Sequence, residues 1–225
     1  MTGPAFAAAD SVLRRPGVRT LGSRADLADA LAQMAPGLRL VVAGGGVLGS
    51  ELVAAAVEAG AVAALVDPDP APLTPLLGRE LAEVVMARHR AHGVATILGA
   101  ITGVRPDPEH PGRLVVEVGP KFLPADLVAV SAADPADAPT RHLALYRSRI
   151  ERLGDPGADG ETLLRIIAGE PRYAFRIRGH RLLGAVAIDP APSEVAALTR
   201  LIESGAEVDR DRLCRPEIGL EDVAR

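Results

Sequence analysis

Residues 41–51 read Val-Val-Ala-Gly-Gly-Gly-Val-Leu-Gly-Ser-Glu, and this stretch decides the fold of the first part of the chain. Gly44, Gly46 and Gly49 have the G-x-G-x-x-G order, directly after the apolar run 38–43 and directly before a helical stretch. Such glycines permit a tight turn and close approach of the backbone to a ligand, while the helix N-terminus adds partial positive charge. We therefore predict a dinucleotide pyrophosphate site. Its residues are Gly44, Gly45, Gly46, Val47, Leu48 and Gly49.

Two acidic residues complete the predicted site, and each also has a simpler explanation. Asp67 ends the apolar run 61–66, near the spacing of about 20 residues at which a carboxylate meets the ribose hydroxyls of a dinucleotide. It could equally be a solvent-exposed strand end. Glu51 follows the turn, where the helix dipole favours any acidic residue of the first turn. The glycines themselves could serve only tight packing of strand and helix.

The composition limits the classes of partner. The chain has 225 residues, 48% of them hydrophobic, and a net charge of −4, which gives no general attraction to nucleic acid or to an anionic membrane. Cys214 is the only cysteine, so an internal disulfide is excluded. No signal peptide or membrane span is recognisable, and a cytoplasmic protein is expected. His89 and His92 lie three apart on a predicted helix with a surface-type setting, and no metal site is expected.

Elements around the turn predict an α/β fold with a Rossmann-like domain at residues 17–140, behind a poorly ordered N-terminal arm at 1–16. Ser23 and Asp26 have the spacing of a capping box that opens a short helix. The stretch 77–92 has the periodicity of a helix.

The pattern changes after this helix. Short apolar runs at 101–104 and 114–118 flank a loop rich in Pro, Asp and Gly, which predicts an antiparallel insertion. The run 127–130 predicts a last strand of the domain. Residues 132–140 are rich in Ala, Asp and Pro and are the expected linker.

The second region, residues 141–225, has the pattern of a small α+β domain. Apolar residues alternate along 173–177, as in a half-buried strand, and the Gly-His pair at 179–180 predicts a hairpin turn. Ser193 is the expected N-cap of the helix that follows.

In its order of motifs the sequence resembles the NAD-binding domain of flavin-dependent ferredoxin reductases, which belong to the pyridine nucleotide–disulfide oxidoreductase superfamily. The resemblance rests on the glycine turn, Glu51, the stretch His-Arg-Ala-His-Gly-Val at 89–94 and Leu-Pro-Ala-Asp-Leu-Val at 123–128. The stretch 179–213 is similar to the C-terminal domain of the same enzymes. The resemblance implies that Glu51 lies beside the nicotinamide. Asp67 would favour NAD over NADP, because no arginine follows it nearby.

The chain departs from this family in three respects. The FAD-binding segments that precede and follow the NAD domain in the family have no counterpart, and Thr140 leads straight into the C-terminal region. The stretch 131–135, Ser-Ala-Ala-Asp-Pro, replaces a glycine-containing loop, and the chain has no tryptophan. We therefore expect NAD(H) as the cofactor and do not expect FAD. Without flavin, NADH has no one-electron route to ferredoxin.

Three function hypotheses stay open at this point. The first is an NAD(H)-binding oxidoreductase or accessory subunit, which transfers a hydride to an organic substrate or docks on a separate flavoprotein. The second is a non-redox biosynthetic cyclase, isomerase or lyase that uses the vacated cofactor cleft for a small-molecule substrate. The third is a non-catalytic assembly protein. Under each of them we expect a homodimer or a partner protein to cover the former FAD-domain face. The sequence identifies no catalytic residue.

Overall fold

The computed structural model describes residues 5–8, 10–131 and 142–225. The elements as far as Ser131 are β1 (Val18–Leu21), α1 (Arg24–Leu31), β2 (Arg39–Ala43), α2 (Val47–Glu58), β3 (Val62–Asp67), α3 (Thr74–Leu77), α4 (Arg79–Ala91), β4 (Ala95–Leu98), β5 (Gly103–Pro106), β6 (Leu114–Val118), β7 (Lys121–Ala125) and β8 (Leu127–Ser131). Those after it are β9 (His142–Leu145), β10 (Ser148–Gly154), β11 (Glu161–Ile167), β12 (Glu170–Arg178), β13 (Arg181–Ile188), α5 (Pro192–Ser204) and α6 (Arg210–Cys214). Short 3-10 helices span Asp10–Arg14 and Leu220–Asp222.

The chain forms two compact units. The first comprises Met1–Pro72 and Val85–Ala138, and the second comprises Leu73–Val84 and Pro139–Arg225. The predicted linker at 132–140 lies outside the described residues.

A five-stranded parallel sheet in the order β1-β8-β2-β3-β4 organises the first unit. The central strand β2 is buried from Leu40 to Ala43, as its apolar sequence predicts for a strand covered on both faces. Helix α2 packs against β2, β3 and β8. The predicted Rossmann-like α/β fold is confirmed, and the carboxyl ends of all five strands share one edge of the sheet.

The predicted antiparallel insertion is confirmed as a three-stranded sheet of β5, β6 and β7. It shares an apolar core with the parallel sheet. The buried residues of that core are Val12, Val18, Val41, Ala43, Val66, Ile101, Val104, Leu114, Val116, Val118, Ala125, Val128 and Val130. Strand β7 was not predicted, because Pro124 and the exposed residues Lys121 and Phe122 break the alternation of apolar and polar residues. An edge strand tolerates such residues.

The expectation of a poorly ordered N-terminal arm is wrong for the described residues. Phe6 pairs with Ile101 in an isolated parallel bridge, and Val12 of the first 3-10 helix is buried in the core of the unit. The adjoining strand β1 pairs with β8, a partner more than 100 positions later in the chain. Such long-range pairing leaves no signal in the local pattern of residues.

The predicted helix at 77–92 is confirmed as α4, which begins two residues later than predicted, and a short helix that was not predicted, α3, precedes it. Helix α3 ends at Leu77, Gly78 has a φ of +78°, and α4 begins at Arg79. A residue with positive φ cannot continue an α-helix, so the chain changes direction there. Within the described parts of the chain, every helix is too short or too polar to cross a bilayer.

A five-stranded antiparallel sheet in the order β11-β12-β13-β10-β9 forms the body of the second unit. The predicted hairpin is confirmed, since Arg178 at the end of β12 is paired with Arg181 at the start of β13. The core contains Tyr173, Phe175 and Ile177, the alternating residues of the predicted strand. These features confirm the predicted α+β character of the region.

The capping prediction for the next helix is wrong by two residues. The N-cap of α5 is Ala191, and the backbone N–H of Ala191 donates to the Glu194 carboxylate at 2.7 Å. Ser193 lies inside the first turn. The helix begins earlier than predicted because Pro192 takes the first helical position, which proline favours.

Arg165 on β11 holds the C-terminal segment of the second unit. Its buried guanidinium donates to the carbonyl oxygens of Leu213 at 2.8 Å, Ile218 at 3.1 Å and Arg212 at 3.3 Å, and it lies over the ring of Tyr173. These three bonds satisfy carbonyl groups at the end of α6 and beyond it. The role of this arginine is structural.

Candidate functional site

The glycine turn lies between β2 and α2, and the fold itself requires glycine at Gly44 and Gly49. Gly44 has a φ of +98°, a conformation that favours glycine, and its N–H donates to the carbonyl of Val66 at 2.9 Å. A Cβ atom added to Gly49 would lie 1.9 Å from the carbonyl oxygen of Gly44. Helix α2 therefore approaches the turn so closely that no side chain fits at position 49.

The predicted ribose ligand, Asp67, lies at the carboxyl end of β3 and contacts the turn directly. Its Oδ2 accepts from the N–H of Gly45 at 2.7 Å, and its Oδ1 accepts from the N–H of Asp69 at 2.8 Å. Burial raises the pKa of Asp67, and the two N–H donors oppose that shift. Each carboxylate oxygen has a second lone pair, so a ribose hydroxyl can still donate to it.

Pro72 covers a third glycine, Gly45. A Cβ atom on Gly45 would lie 2.5 Å from Pro72 Cγ, so the segment that follows Asp67 folds back over the turn. Asp69 fixes this segment by accepting from the N–H of Ala71 at 2.8 Å. The proline was not predicted as a site residue, because nothing in its local sequence indicates the long-range contact.

The N-terminus of α2 opens at the carboxyl edge of the sheet. Its N-cap is Gly46, which has no side chain to cap the helix, and the helix begins at Val47. Ser50, which is fully buried, donates from its hydroxyl to the carbonyl of Gly45 at 2.8 Å and fixes the turn from the helix side. A helix N-terminus that follows a glycine turn, with glycine at the N-cap, is the arrangement that binds phosphate groups.

Glu51 is buried and forms an ion pair with Arg24 of α1. Only 7% of the Glu51 side chain is exposed, against 56% of the Arg24 side chain. Glu51 is the fifth residue of α2 and lies beyond its first turn, so the predicted helix-dipole explanation for it is wrong. The pair with Arg24 instead provides the counter-charge that a buried carboxylate needs.

Sequence reasoning missed Arg24, although the sequence carries a signal. Arg24 is the first residue of α1, a position where the helix dipole disfavours a cation. Ser23 caps the helix and Asp26 bonds back to Ser23 and Gly22, which confirms the predicted capping box. Neither the capping box nor the helix dipole accounts for an arginine at this position.

The structure brings all the predicted site residues to one edge of the parallel sheet. The turn 44–46 follows the central strand β2, and Asp67 ends β3 on one side of it. On the other side lie β8, which ends at Ser131 beside Gly44, and β1, which leads into Arg24. The altered loop predicted at 131–135 lies outside the described residues beyond Ser131.

Comparison with known families accounts for this arrangement. The family model described as pyridine nucleotide-disulphide oxidoreductase matches residues 7–145, and the model described as reductase C-terminal matches residues 145–224. The chain belongs to the pyridine nucleotide-disulphide oxidoreductase family. Among curated protein sequences, none matches the chain.

Several solved structures share the fold of this chain at low sequence identity. The covalent putidaredoxin reductase–putidaredoxin complex is 17% identical, with a TM-score of 0.80 over 98% of this chain and 71% of that chain. The ferredoxin reductase for the CYP199A2 system of Rhodopseudomonas palustris is 15% identical, with a TM-score of 0.74 over 99% and 74%. The water-forming NADH oxidase of Lactobacillus brevis bound to NADH is 14% identical, with a TM-score of 0.64 over 98% and 71%.

The two histidines of α4 have different environments. His89 is fully buried, which corrects the predicted surface setting, whereas His92 is exposed and contacts the carbonyl of Arg88 through Nδ1 at 2.9 Å. Burial lowers the pKa of His89 to about 4, with a further contribution from the charges of His92 and Arg90. In the described parts of the chain, no three His, Cys, Asp or Glu side chains are grouped to hold a metal ion.

We expect Gly49→Ala to destabilise the protein, although alanine is the better helix former. The added methyl group cannot fit beside the Gly44 carbonyl, and we expect a loss of about 3 kcal/mol in the free energy of unfolding. Gly93→Ala is the control, because a Cβ there meets nothing within 4 Å and only its φ of +85° is strained. That change costs about 1 kcal/mol. Equal loss in the two variants, measured by denaturant unfolding, would contradict the packing argument.

Burial of His89 predicts that stability falls with decreasing pH. The folded-state pKa of about 4 lies below the unfolded value of about 6.5, so the unfolded chain binds the extra proton between these values. The contribution of neutral His89 is complete above about pH 6.5 and is lost as the pH falls through about 4. When the pH is lowered from about 7.5 to about 4.5, we expect the free energy of unfolding of the wild type to fall by about 2 to 3 kcal/mol more than that of His89→Leu. The exposed His142→Gln should behave like the wild type.

Proposed function

We propose that this protein binds NAD(H) at the glycine turn and acts as an oxidoreductase or as the accessory subunit of one. The observation that carries the proposal is the Asp67 carboxylate, held at the edge of the turn by the N–H of Gly45. NAD(H) would supply a hydride donor or acceptor. The residues of this chain would bind and orient it.

The adenosine half fits the β3 side of the turn. The pyrophosphate would lie against the N-terminus of α2, where Gly46 brings no side chain. Asp67 would accept the ribose hydroxyls, and its negative charge together with that of Asp69 opposes a 2′-phosphate. These charges favour NAD over NADP.

The nicotinamide half would then extend to the other side of β2, toward Glu51 and Arg24. In an open parallel sheet a dinucleotide crosses the central strand at its carboxyl end. Asp67 would place the adenosine on the β3 side of β2. The Glu51–Arg24 pair lies on the other side of β2, where β8 and β1 are found. This assignment of Glu51 agrees with the family resemblance.

We propose in addition that these 225 residues do not hold FAD by themselves and do not alone reduce ferredoxin. The G-x-G-x-x-G pattern occurs once in the sequence, and it is used by the turn after β2. Ten positions separate the end of β8 at Ser131 from the start of β9 at His142, and the two family models adjoin at residue 145. A second cofactor-binding fold has no room between them.

The other hypotheses remain predictions with less support. A non-redox enzyme was suggested by the loop at 131–135, of which only Ser131 is described. A homodimer or a protein partner also stays a prediction. Ile166 and Ile167 on the edge strand β11 are exposed by 50% and 38%, and they are apolar side chains that such a partner would cover.

Calorimetric titration with NADH tests the proposal. We expect saturable binding to the wild type, and binding about tenfold weaker in Asp67→Ala, because a hydroxyl bond to a carboxylate is lost. NADPH should bind the wild type less tightly than NADH. Asp29→Ala, which removes an exposed carboxylate from α1, should bind NADH like the wild type. Absence of binding at millimolar NADH would contradict the proposal.

The absorbance spectrum of the purified protein tests the statement about flavin. We expect no isoalloxazine bands after expression with riboflavin and after incubation with excess FAD and desalting. NADH-dependent reduction of a ferredoxin should be absent with the protein alone. A yellow protein with one FAD per chain would contradict this part of the proposal while leaving NAD(H) binding intact.

A further inference from the structure

We propose that Arg24 sets the preference of the site between the oxidised and reduced nucleotide, by neutralising Glu51. The inference rests on the proposed binding of NAD(H) and adds a specificity-determining residue to it. Arg24 contributes through its charge, and its ion pair with Glu51 is the geometric observation behind the inference.

The place of this pair in the fold is fixed by the strand order. Glu51 extends from α2 in its second turn, and Arg24 begins α1 directly after the edge strand β1. Both therefore belong to the side of β2 that carries β8 and β1, opposite Asp67. A dinucleotide whose adenosine ribose reaches Asp67 has its nicotinamide on the side of the ion pair.

The two redox forms of the ligand differ there by one charge. The nicotinamide ring of NAD+ is positively charged, and the ring of NADH is neutral. A single buried carboxylate would attract the oxidised ring and favour NAD+. With the Arg24 guanidinium bonded to that carboxylate, the pair presents little net charge, and the site loses its preference for the oxidised form.

Helix α1 itself does not require a cation at Arg24. The N-terminus of α1 is already capped by Ser23 and Asp26, and a positive charge at the first helical residue opposes the dipole. More than half of the Arg24 side chain is exposed, so a neutral polar residue could replace it without leaving a cavity. Neutralisation of Glu51 is what the arginine adds.

The quantity to measure is the ratio of the dissociation constant for NADH to that for NAD+, determined by calorimetry at about pH 8. The adenosine and pyrophosphate contacts are the same in both ligands and cancel in this ratio. We expect the ratio to rise about fivefold in Arg24→Gln, as Glu51 then attracts the oxidised ring. In Glu51→Gln it should fall by a similar factor, because the arginine charge is left without its counter-charge.

Three further variants separate charge from structure. The double variant Arg24→Gln/Glu51→Gln is neutral again and should return the ratio to near the wild-type value. Arg24→Lys keeps the charge and should also keep the ratio. Arg19→Gln removes an exposed charge from the preceding strand β1 and should leave it unchanged. Thermal melts of each variant confirm that it is folded.

A ratio that stays within twofold of the wild type in both Arg24→Gln and Glu51→Gln, with both nucleotides still bound, would overturn this inference alone. Failure of the wild type to bind either nucleotide would overturn the proposed function and this inference with it. A change in Arg24→Gln that the double variant fails to reverse would also overturn it, since loss of charge balance would not then be the cause.

Discussion

The close approach of helix α2 to the turn after β2 is the constraint on which the candidate site depends. At Gly49 the helix touches the Gly44 carbonyl so tightly that not even a methyl group fits. This contact fixes where the helix begins and therefore where its N-terminus, with Gly46 at the N-cap, points. It also fixes the direction of Glu51 on the next turn. A looser packing would leave the turn without a defined relation to either acidic residue.

The carboxylates on the two sides of β2, Asp67 and Glu51, have different kinds of partner. On the β3 side the Asp67 carboxylate is held by two backbone N–H groups, which satisfy it without cancelling its charge. On the β8 side the Glu51 carboxylate is paired with a guanidinium, which does cancel it. One side is thus built to accept hydroxyl groups, and the other presents a nearly neutral ion pair.

The sequence predicted the parts of this site that depend on local order and missed those that depend on distant pairing. Strand β2, the turn and α2 are contiguous, so their pattern was sufficient to predict them. Strand β1 was missed because its order comes from β8, and Arg24 was missed with it. Pro72 covers Gly45 through a fold of the chain that no local pattern encodes. Burial of His89 was missed because a polar residue on a helix is usually exposed.

The fold itself requires three of the four glycines at positions 44–49. Gly44 is required by its positive φ, Gly45 by the contact with Pro72 and Gly49 by the contact with the Gly44 carbonyl. None of these reasons involves a ligand. The charged residues carry more weight, because burial of a carboxylate beside a turn is costly and needs a purpose. Asp67 accepts from a backbone N–H of the turn and keeps its negative charge and lone pairs for a ligand hydroxyl. The Arg24–Glu51 pair supplies the counter-charge of a buried carboxylate, and the capping of α1 does not require it. The Asp67 carboxylate at the end of β3 and the Arg24–Glu51 pair on the other side of β2 therefore distinguish this edge of the sheet from a glycine turn that serves packing alone.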